Sequence, residues 1–216
     1  ASLLRAAELP DSPTARLDAE LLLAAALGKS RSFLHTWPER IVPSEAALTF
    51  AEYLQRRRGG EPVAYILGQQ GFWKLDLEVA PHTLIPRPDT ELLVEAALEL
   101  LAATPAKVLD LGTGSGAIAL ALASERPAWN VTAVDRVLEA VALAERNRQR
   151  LNLNNATVLS SHWFGALAGQ RFNLIISNPP YIAAADPHLV EGDVRFEPAS
   201  ALVAGVDGLD DLRLIV

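Results

Sequence analysis

The chain contains the stretch Lys107-Val108-Leu109-Asp110-Leu111-Gly112-Thr113-Gly114-Ser115-Gly116. Its first half is a short apolar run, which is typical of a buried strand, and its second half is a loop of alternating glycines. A helical run over 117–123 follows, and a second strand, Val131–Val134, ends at Asp135. Strand, loop, helix and strand form a βαβ unit with an acidic residue at its tip. The sequence therefore predicts an α/β fold of the Rossmann-like kind.

The glycine loop predicts a nucleoside site without a phosphate. Its spacing, Gly-x-Gly-x-Gly, differs from the Gly-x-Gly-x-x-Gly of dinucleotide folds. Glycine lets a ligand approach the backbone without a Cβ in the way. Asp135 can accept both ribose hydroxyls, and Asp110 places a carboxylate where a ligand ammonium can bind. A ribose and an ammonium without a phosphate favour S-adenosylmethionine over NAD.

Two further strands are predicted, over Thr157–Leu159 and Phe172–Ser177. Trp163 follows the first of them, at the kind of strand tip where ligands bind in open sheets. Its indole ring either stacks on an adenine edge or anchors the loop.

The segment Asn178-Pro179-Pro180-Tyr181, which we call the ledge, follows the last predicted strand. A residue before proline is held extended and proline has no N–H, so the carbonyl groups here stay free to accept hydrogen bonds. Acceptors on Asn178 and Pro179 can bind both hydrogens of a planar NH2 group, while Tyr181 lies against its flat face. The ledge predicts methylation of an amide or an exocyclic amine.

Residues 1–60 read as a small helical domain with no catalytic signature, and one of its helices spans 44–58. Arg56, Arg57 and Arg58 close that helix, where they either pair with its C-terminus or contact a phosphate or a partner. Alternating apolar residues predict a β-hairpin connector over 61–82, with a first strand through Val63, Tyr65 and Leu67.

The predicted methyltransferase domain covers 83–216 and opens with Arg87 between two prolines. Arg87 either forms a structural ion pair or helps to close the site.

Composition limits the function classes. The net charge of −7 argues against a large nucleic-acid footprint, and the absence of cysteine excludes disulfides and thiolate metal sites. The histidines show no ligand spacing, so no metal site is expected. No apolar stretch is long enough for a membrane span and no signal peptide opens the chain, so we expect a cytoplasmic protein, and a monomer. The chain lacks methionine and ends in mid-pattern, so we expect further sequence.

These stretches resemble the PrmC/HemK family, the protein-(glutamine-N5) methyltransferases of class 1 peptide chain release factors in translation termination. The resemblance covers essentially the whole chain and rests on Ile85–Glu91, Asp110–Gly116, Asn178–Tyr181 and Gly192–Pro198. It implies a seven-stranded domain, of which four strands lie in this chain, behind a helical domain that docks the release factor. In place of His162 the family often has an acidic residue near the adenine amino group.

The resemblance also implies roles for particular residues. Asn178, Pro179 and Tyr181 are the predicted catalytic residues, and with Pro180 they hold the glutamine of a Gly-Gly-Gln loop. The predicted binding residues for S-adenosylmethionine, and for its product S-adenosylhomocysteine, are Asp110, Gly112, Thr113, Gly114, Ser115, Gly116, Asp135, Trp163 and Asn178.

Three alternatives stay open at this point. The first is methylation of a ribosomal-protein glutamine. The second is adenine N6 methylation of DNA or RNA, which needs the same ledge but also a basic groove. The third is a cofactor-binding fold that serves only as a docking module.

Overall fold

The computed structural model describes residues 12–216 together with Leu4, Ala7 and Leu9. The chain divides into two compact units, residues 1–68 and residues 69–216. In the part of the chain described, no helix combines the length and the apolar character needed to cross a membrane.

The first unit is helical. Its helices are α1 (Ala15–Ala26), α2 (Arg31–Thr36), α3 (Ser44–Arg58) and α4 (Val63–Leu67). Most buried side chains of its core come from α1, α3 and α4 and include Leu22, Leu23, Phe50, Leu54 and Ile66, and Leu9 is buried with them.

Polar side chains also hold this unit together. The Arg57 Nε donates to Asp18 Oδ2 at 2.8 Å, and both side chains are buried. The Arg56 Nε donates to Glu61 Oε2 at 2.8 Å. Both arginines thus pair with acidic side chains of the same unit, which neither of the two open roles named. Arg57 also donates to the carbonyl oxygens of Gly60 and Glu61, just beyond the end of its helix.

The predicted strand through Val63, Tyr65 and Leu67 is wrong, because these residues form α4. The run Val-Ala-Tyr-Ile-Leu is apolar throughout, and a short uniform run cannot be assigned to helix or strand by periodicity. Pro62 precedes the helix, and Gly68 ends it in a left-handed conformation with φ of 68°. Residues 61–68 therefore belong to the helical unit.

The second unit begins with the β-hairpin of β1 (Gln69–Phe72) and β2 (Leu75–Glu78). Phe72 and Leu77 are buried in the main core of this unit. The structure thus divides the predicted connector over 61–82: its first part is helical, and its hairpin packs into the second unit.

The remaining elements of the second unit form a parallel sheet with helices. They are α5 (Glu91–Leu100), β3 (Ala106–Leu111), α6 (Ala117–Glu125), β4 (Trp129–Asp135), α7 (Leu138–Arg150), β5 (Ala156–Ser160), β6 (Leu174–Ser177) and α8 (Asp210–Ile215). The strand order is β5-β4-β3-β6, and every pair is parallel. The predicted Rossmann-like α/β fold is confirmed.

Candidate active site

The parallel sheet brings the loops after its strands to one edge. Leu111 of β3 lies opposite Val134 of β4 and Ser177 of β6. Asp135 at the end of β4 lies opposite Ser160 at the end of β5. Because parallel strands end on the same side, the glycine loop, Asp135, the loop after β5 and the ledge meet there.

A cavity opens at this edge, and we call it the glycine-loop cavity. Asp110 and Gly116 do not line it. The other seven predicted cofactor residues do, and they are Gly112, Thr113, Gly114, Ser115, Asp135, Trp163 and Asn178.

Asp135 is held by backbone groups at the rim of this cavity. Its Oδ2 accepts the Gly114 N–H at 2.9 Å, and its Oδ1 accepts the Val137 N–H at 2.9 Å. A carboxylate oxygen can accept more than one hydrogen bond. Both oxygens are therefore oriented and can still accept hydrogen bonds from a pair of hydroxyl groups.

Asp110 lies beneath the glycine loop and not in the cavity. Its side chain is 1% exposed, and its Oδ2 accepts hydrogen bonds from the Thr113 hydroxyl at 2.6 Å and the Ala119 N–H at 3.2 Å. Burial raises the pKa of Asp110 to about 6, although both hydrogen bonds act in the opposite direction. Asp110 thus supports the loop through Thr113. Its Oδ1 is buried without a hydrogen-bond partner among the described residues, and the contact with a ligand ammonium stays a prediction.

Gly116 also has a packing role instead of a lining role. Its φ is +88°, and an added Cβ would come within 2.9 Å of Leu120 and 3.3 Å of Ala144. A side chain here would be strained by the positive φ and would press on both helices, so glycine suits this close approach. A contact between the Gly116 backbone and the cofactor stays a prediction.

Asn147 of α7 supports the glycine loop and was missed in the sequence. Its side chain is fully buried, and its Nδ2 donates to the carbonyl oxygens of Ser115 at 2.9 Å and Glu78 at 3.0 Å. Its Oδ1 accepts the Glu78 N–H at 2.8 Å. One amide thus joins the β-hairpin to the loop. Asn147 lies on the buried face of α7 with Ala140, Leu143 and Ala144, and a polar residue among such apolar neighbours is the signal that could have identified it.

Trp163 closes the cavity beside Gly112. The indole is 8% exposed and packs in a cluster with Leu109, Leu111 and Val134. Its Nε1 is buried and has no hydrogen-bond partner among residues 12–216. Trp163 anchors its loop, one of the two roles left open, and stacking on an adenine stays a prediction.

A second cavity lies on the other side of the ledge, and we call it the ledge cavity. Asn178, Pro179 and Tyr181 line it, whereas Pro180 lines the glycine-loop cavity. Pro180 therefore lies on the cofactor side in this structure, and its contact with the substrate stays a prediction. The residues that line both cavities are Leu84, Thr90, Asn178 and Ala201.

The acceptors of the ledge are available. The Asn178 Nδ2 donates to the Thr90 Oγ1 at 3.4 Å, and within the described part of the chain no hydrogen bond reaches Asn178 Oδ1. The backbone carbonyls of Asn178 and Pro179 are likewise without a partner among the described residues. This agrees with the effect expected of two consecutive prolines.

An ion pair connects two of the stretches on which the family resemblance rests. The Arg87 guanidinium donates to Glu197 Oε1 at 2.8 Å, and the Glu197 side chain is fully buried. Burial raises the pKa of the Glu197 carboxyl, and the charge of Arg87 acts against that rise. Arg87 therefore forms the structural pair, and it also lines the ledge cavity.

Other residues around the glycine-loop cavity were missed. Arg136 and Val137 directly follow Asp135, so the rule that ligands bind at strand ends could have identified them. Residues 82–84, Pro86 and residues 200–201 carry no such signal, because only tertiary packing brings them to the cavity. His162, which the sequence left without a role, also lines it.

The glycine-loop cavity suits S-adenosylmethionine. Asp135 offers acceptors for a ribose, while Leu84, Ile118 and Ala140 give apolar walls. A Cβ added at Gly114 would have no protein atom within 4 Å, so space is open beside the backbone. The sheet, the glycine loop and this cavity define an S-adenosylmethionine-dependent methyltransferase.

Comparison with known proteins narrows the class. Residues 1–68 match the PrmC N-terminal domain, and residues 88–195 match the methyltransferase small domain. The chain is 76% identical over 215 residues to the release factor glutamine methyltransferase of Pseudomonas aeruginosa, covering 100% of this chain and 78% of that protein. It is 53% identical over 209 residues to the enzyme of that name from Escherichia coli, covering 97% of this chain and 76% of that protein. The chain belongs to the family of release factor glutamine methyltransferases.

Proposed function

We propose that the protein methylates the side-chain amide nitrogen (N5) of the glutamine in the Gly-Gly-Gln motif of class 1 peptide chain release factors. The observation that carries the proposal is the position of Asn178, which lines both cavities and keeps its Oδ1 unpaired among the described residues. The glutamine carboxamide enters the ledge cavity and the cofactor occupies the glycine-loop cavity.

The ledge residues prepare the amide. Asn178 Oδ1 and the Pro179 carbonyl accept its two N–H groups, and Tyr181, which is 64% exposed, covers its flat face. An amide nitrogen is a poor nucleophile because its lone pair is delocalised into the carbonyl group. Two acceptors hold the nitrogen in position and stabilise the positive charge that develops on it.

The cofactor site uses the remaining residues. Asp135 binds the ribose hydroxyls, the backbone of the glycine loop and Ser115 hold the amino-acid end, and Trp163 and Pro180 close the walls. S-adenosylmethionine supplies a methyl group on a sulfonium centre, and its transfer to nitrogen leaves S-adenosylhomocysteine and releases one proton. No general base is required, because the proton can leave after the transfer.

The first unit is the docking domain for the release factor in this proposal. The chain acts as a cytoplasmic monomer. It makes no direct contact with nucleic acid in this proposal, and the net charge of −7 supports that point. The family relatives do not favour a ribosomal-protein glutamine or an adenine as the target.

Labelled cofactor separates these targets when it is incubated with the protein and, in separate reactions, release factor, ribosomal protein and DNA. We expect label in the release factor alone, and a mass increase of one methyl group on a single glutamine. Label in ribosomal protein or DNA, and none in the release factor, would overturn the proposal.

A further inference from the structure

Thr90 is the one hydrogen-bond partner of the Asn178 side chain in the described part of the chain. Its Oγ1 lies 3.4 Å from Asn178 Nδ2, and Thr90 lines both cavities. The separation is long for a hydrogen bond, as is usual for catalytic contacts before substrate binds. The role proposed for Asn178 leaves this threonine unexplained.

An asparagine amide has two ends of almost the same size and opposite hydrogen-bonding character. The carboxamide of a glutamine presents only N–H donors from its nitrogen, so it needs the oxygen of Asn178 on its side. Rotation of the Asn178 amide by half a turn would place an NH2 group against another NH2 group. The hydrogen bond from the reacting nitrogen to Asn178 therefore depends on a choice that packing alone does not make, whereas the one to the Pro179 carbonyl does not.

The position of Thr90 is fixed from several sides. Its backbone N–H donates to the Arg87 carbonyl at 3.0 Å, and Arg87 pairs with the buried Glu197. Glu91, the next residue, accepts the Trp73 N–H at 2.7 Å. A hydroxyl can donate or accept, and in this structure the hydroxyl on this rigid segment accepts from the NH2 group of Asn178.

We infer that Thr90 is a positioning residue, whose hydroxyl binds the NH2 end of Asn178 and so turns its oxygen toward the substrate amide. The inference rests on the proposed function of Asn178. It also gives a function to the threonine of the Ile85–Glu91 stretch, one of those that carry the family resemblance.

The test compares methyl transfer to a release factor by the parent protein, T90V and T90S, with T157V as the control. Valine keeps the volume of threonine and removes the hydroxyl, and Thr157 is an exposed residue of β5 that lines neither cavity. We expect T90V to lower kcat about tenfold, the size expected for loss of one orienting hydrogen bond. T90S should restore most of the activity, and T157V should match the parent.

A second background separates orientation from simple support. In N178D both ends of the side chain are oxygens, so no orientation is needed. T90V should then change kcat less than twofold relative to N178D alone. Equal losses in both backgrounds, or equal losses in T90V and T90S, would overturn the inference. If N178D is too slow to measure, the T90V and T90S pair decides.

The same measurements distinguish the inference from the proposed function. No methylation of the release factor by the parent would reject the proposed function. Normal methylation by the parent and by T90V, with a strong loss in N178A, would reject only the role of Thr90.

Discussion

At the residue scale, Asn178 is the side chain closest to the proposed chemistry. N178A removes one acceptor for the amide nitrogen and should lower kcat by about a hundredfold or more, the range seen when one preorganised polar contact to a transition state is lost. Affinity for S-adenosylhomocysteine should change much less, because the glycine loop and Asp135 remain. Steady-state methyl transfer and calorimetry measure the two effects.

The control for this variant is N154A, which changes an exposed asparagine that lines neither cavity. Turnover by N178A at the rate of N154A would remove Asn178 from the mechanism.

Asp110 predicts a pH dependence of stability. Its pKa rises from 3.8 to about 6 on folding, so between these values the folded state binds more protons than the unfolded state. Stability from this group is therefore present at pH 4 and is lost as the pH rises through 6. The loss amounts to about 3 kcal/mol, since one pKa unit corresponds to about 1.4 kcal/mol.

D110N keeps an acceptor for Thr113 and Ala119 but does not titrate. Relative to the parent, D110N should therefore become more stable as the pH rises from 4 to 7. Urea unfolding across this range measures it. A difference that stays constant with pH would show that Asp110 is not the titrating group.

The chemistry of single residues was readable from the sequence only in part. Asn178 and Asp135 follow strands, and their side chains suit the predicted ligands, so both were found. The burial of Asp110 was not readable, because its strand is buried on both faces and alternation then gives no cue to where a side chain points. Thr90 was missed because no local pattern indicates a contact with a residue 88 positions away.

At the scale of elements, α7, the β-hairpin and the glycine loop depend on one another through Asn147. N147L should lower the free energy of unfolding by at least about 2 kcal/mol, because the Glu78 N–H and the carbonyls of Glu78 and Ser115 lose their buried partner. Cofactor affinity should fall as well, since the loop carries Ser115.

Q149L is the matched control, because it places the same leucine at an exposed position of α7. Chemical denaturation and cofactor titration of both variants make the comparison. If N147L is as stable as Q149L, the amide does not join the elements as described.

Gly208 connects the segment before α8 to the ledge. Its φ is +79°, and an added Cβ would overlap the Tyr181 carbonyl oxygen. G208A should therefore displace Tyr181 and lower kcat severalfold, while cofactor affinity is retained because Tyr181 does not line the glycine-loop cavity.

The control here is G169A, where φ is +75° but no atom lies within 4 Å of the added Cβ. It carries the backbone strain of a left-handed residue without the overlap. G208A should therefore transfer the methyl group more slowly than G169A. Identical kinetics of the two variants would mean that Gly208 does not support the ledge.

Segments with clear start and stop residues or a clear motif predicted their helices and strands well, whereas a uniformly apolar run did not. α3 begins and ends at the predicted residues, and the βαβ unit lies where the glycine loop required it. The run over 63–67 was misassigned because five apolar residues in succession fit either helix or strand. The buried face of α3 was also not readable: Leu48 is 68% exposed, whereas Phe50 is buried.

At the scale of the whole molecule, both cavities are lined by residues of the second unit. Bound S-adenosylhomocysteine should therefore slow amide hydrogen exchange in the glycine loop and in β4, through added stability of the liganded state. The helices α1 and α3 of the first unit should exchange at an unchanged rate. Mass spectrometry of peptic fragments measures both, and protection confined to the first unit would place the cofactor elsewhere.

The wall of four residues between the two cavities also has a kinetic meaning. Most of the residues that line each cavity are not shared with the other. We therefore expect the nucleoside and the protein partner to bind and leave independently, which is the condition for a random sequential scheme.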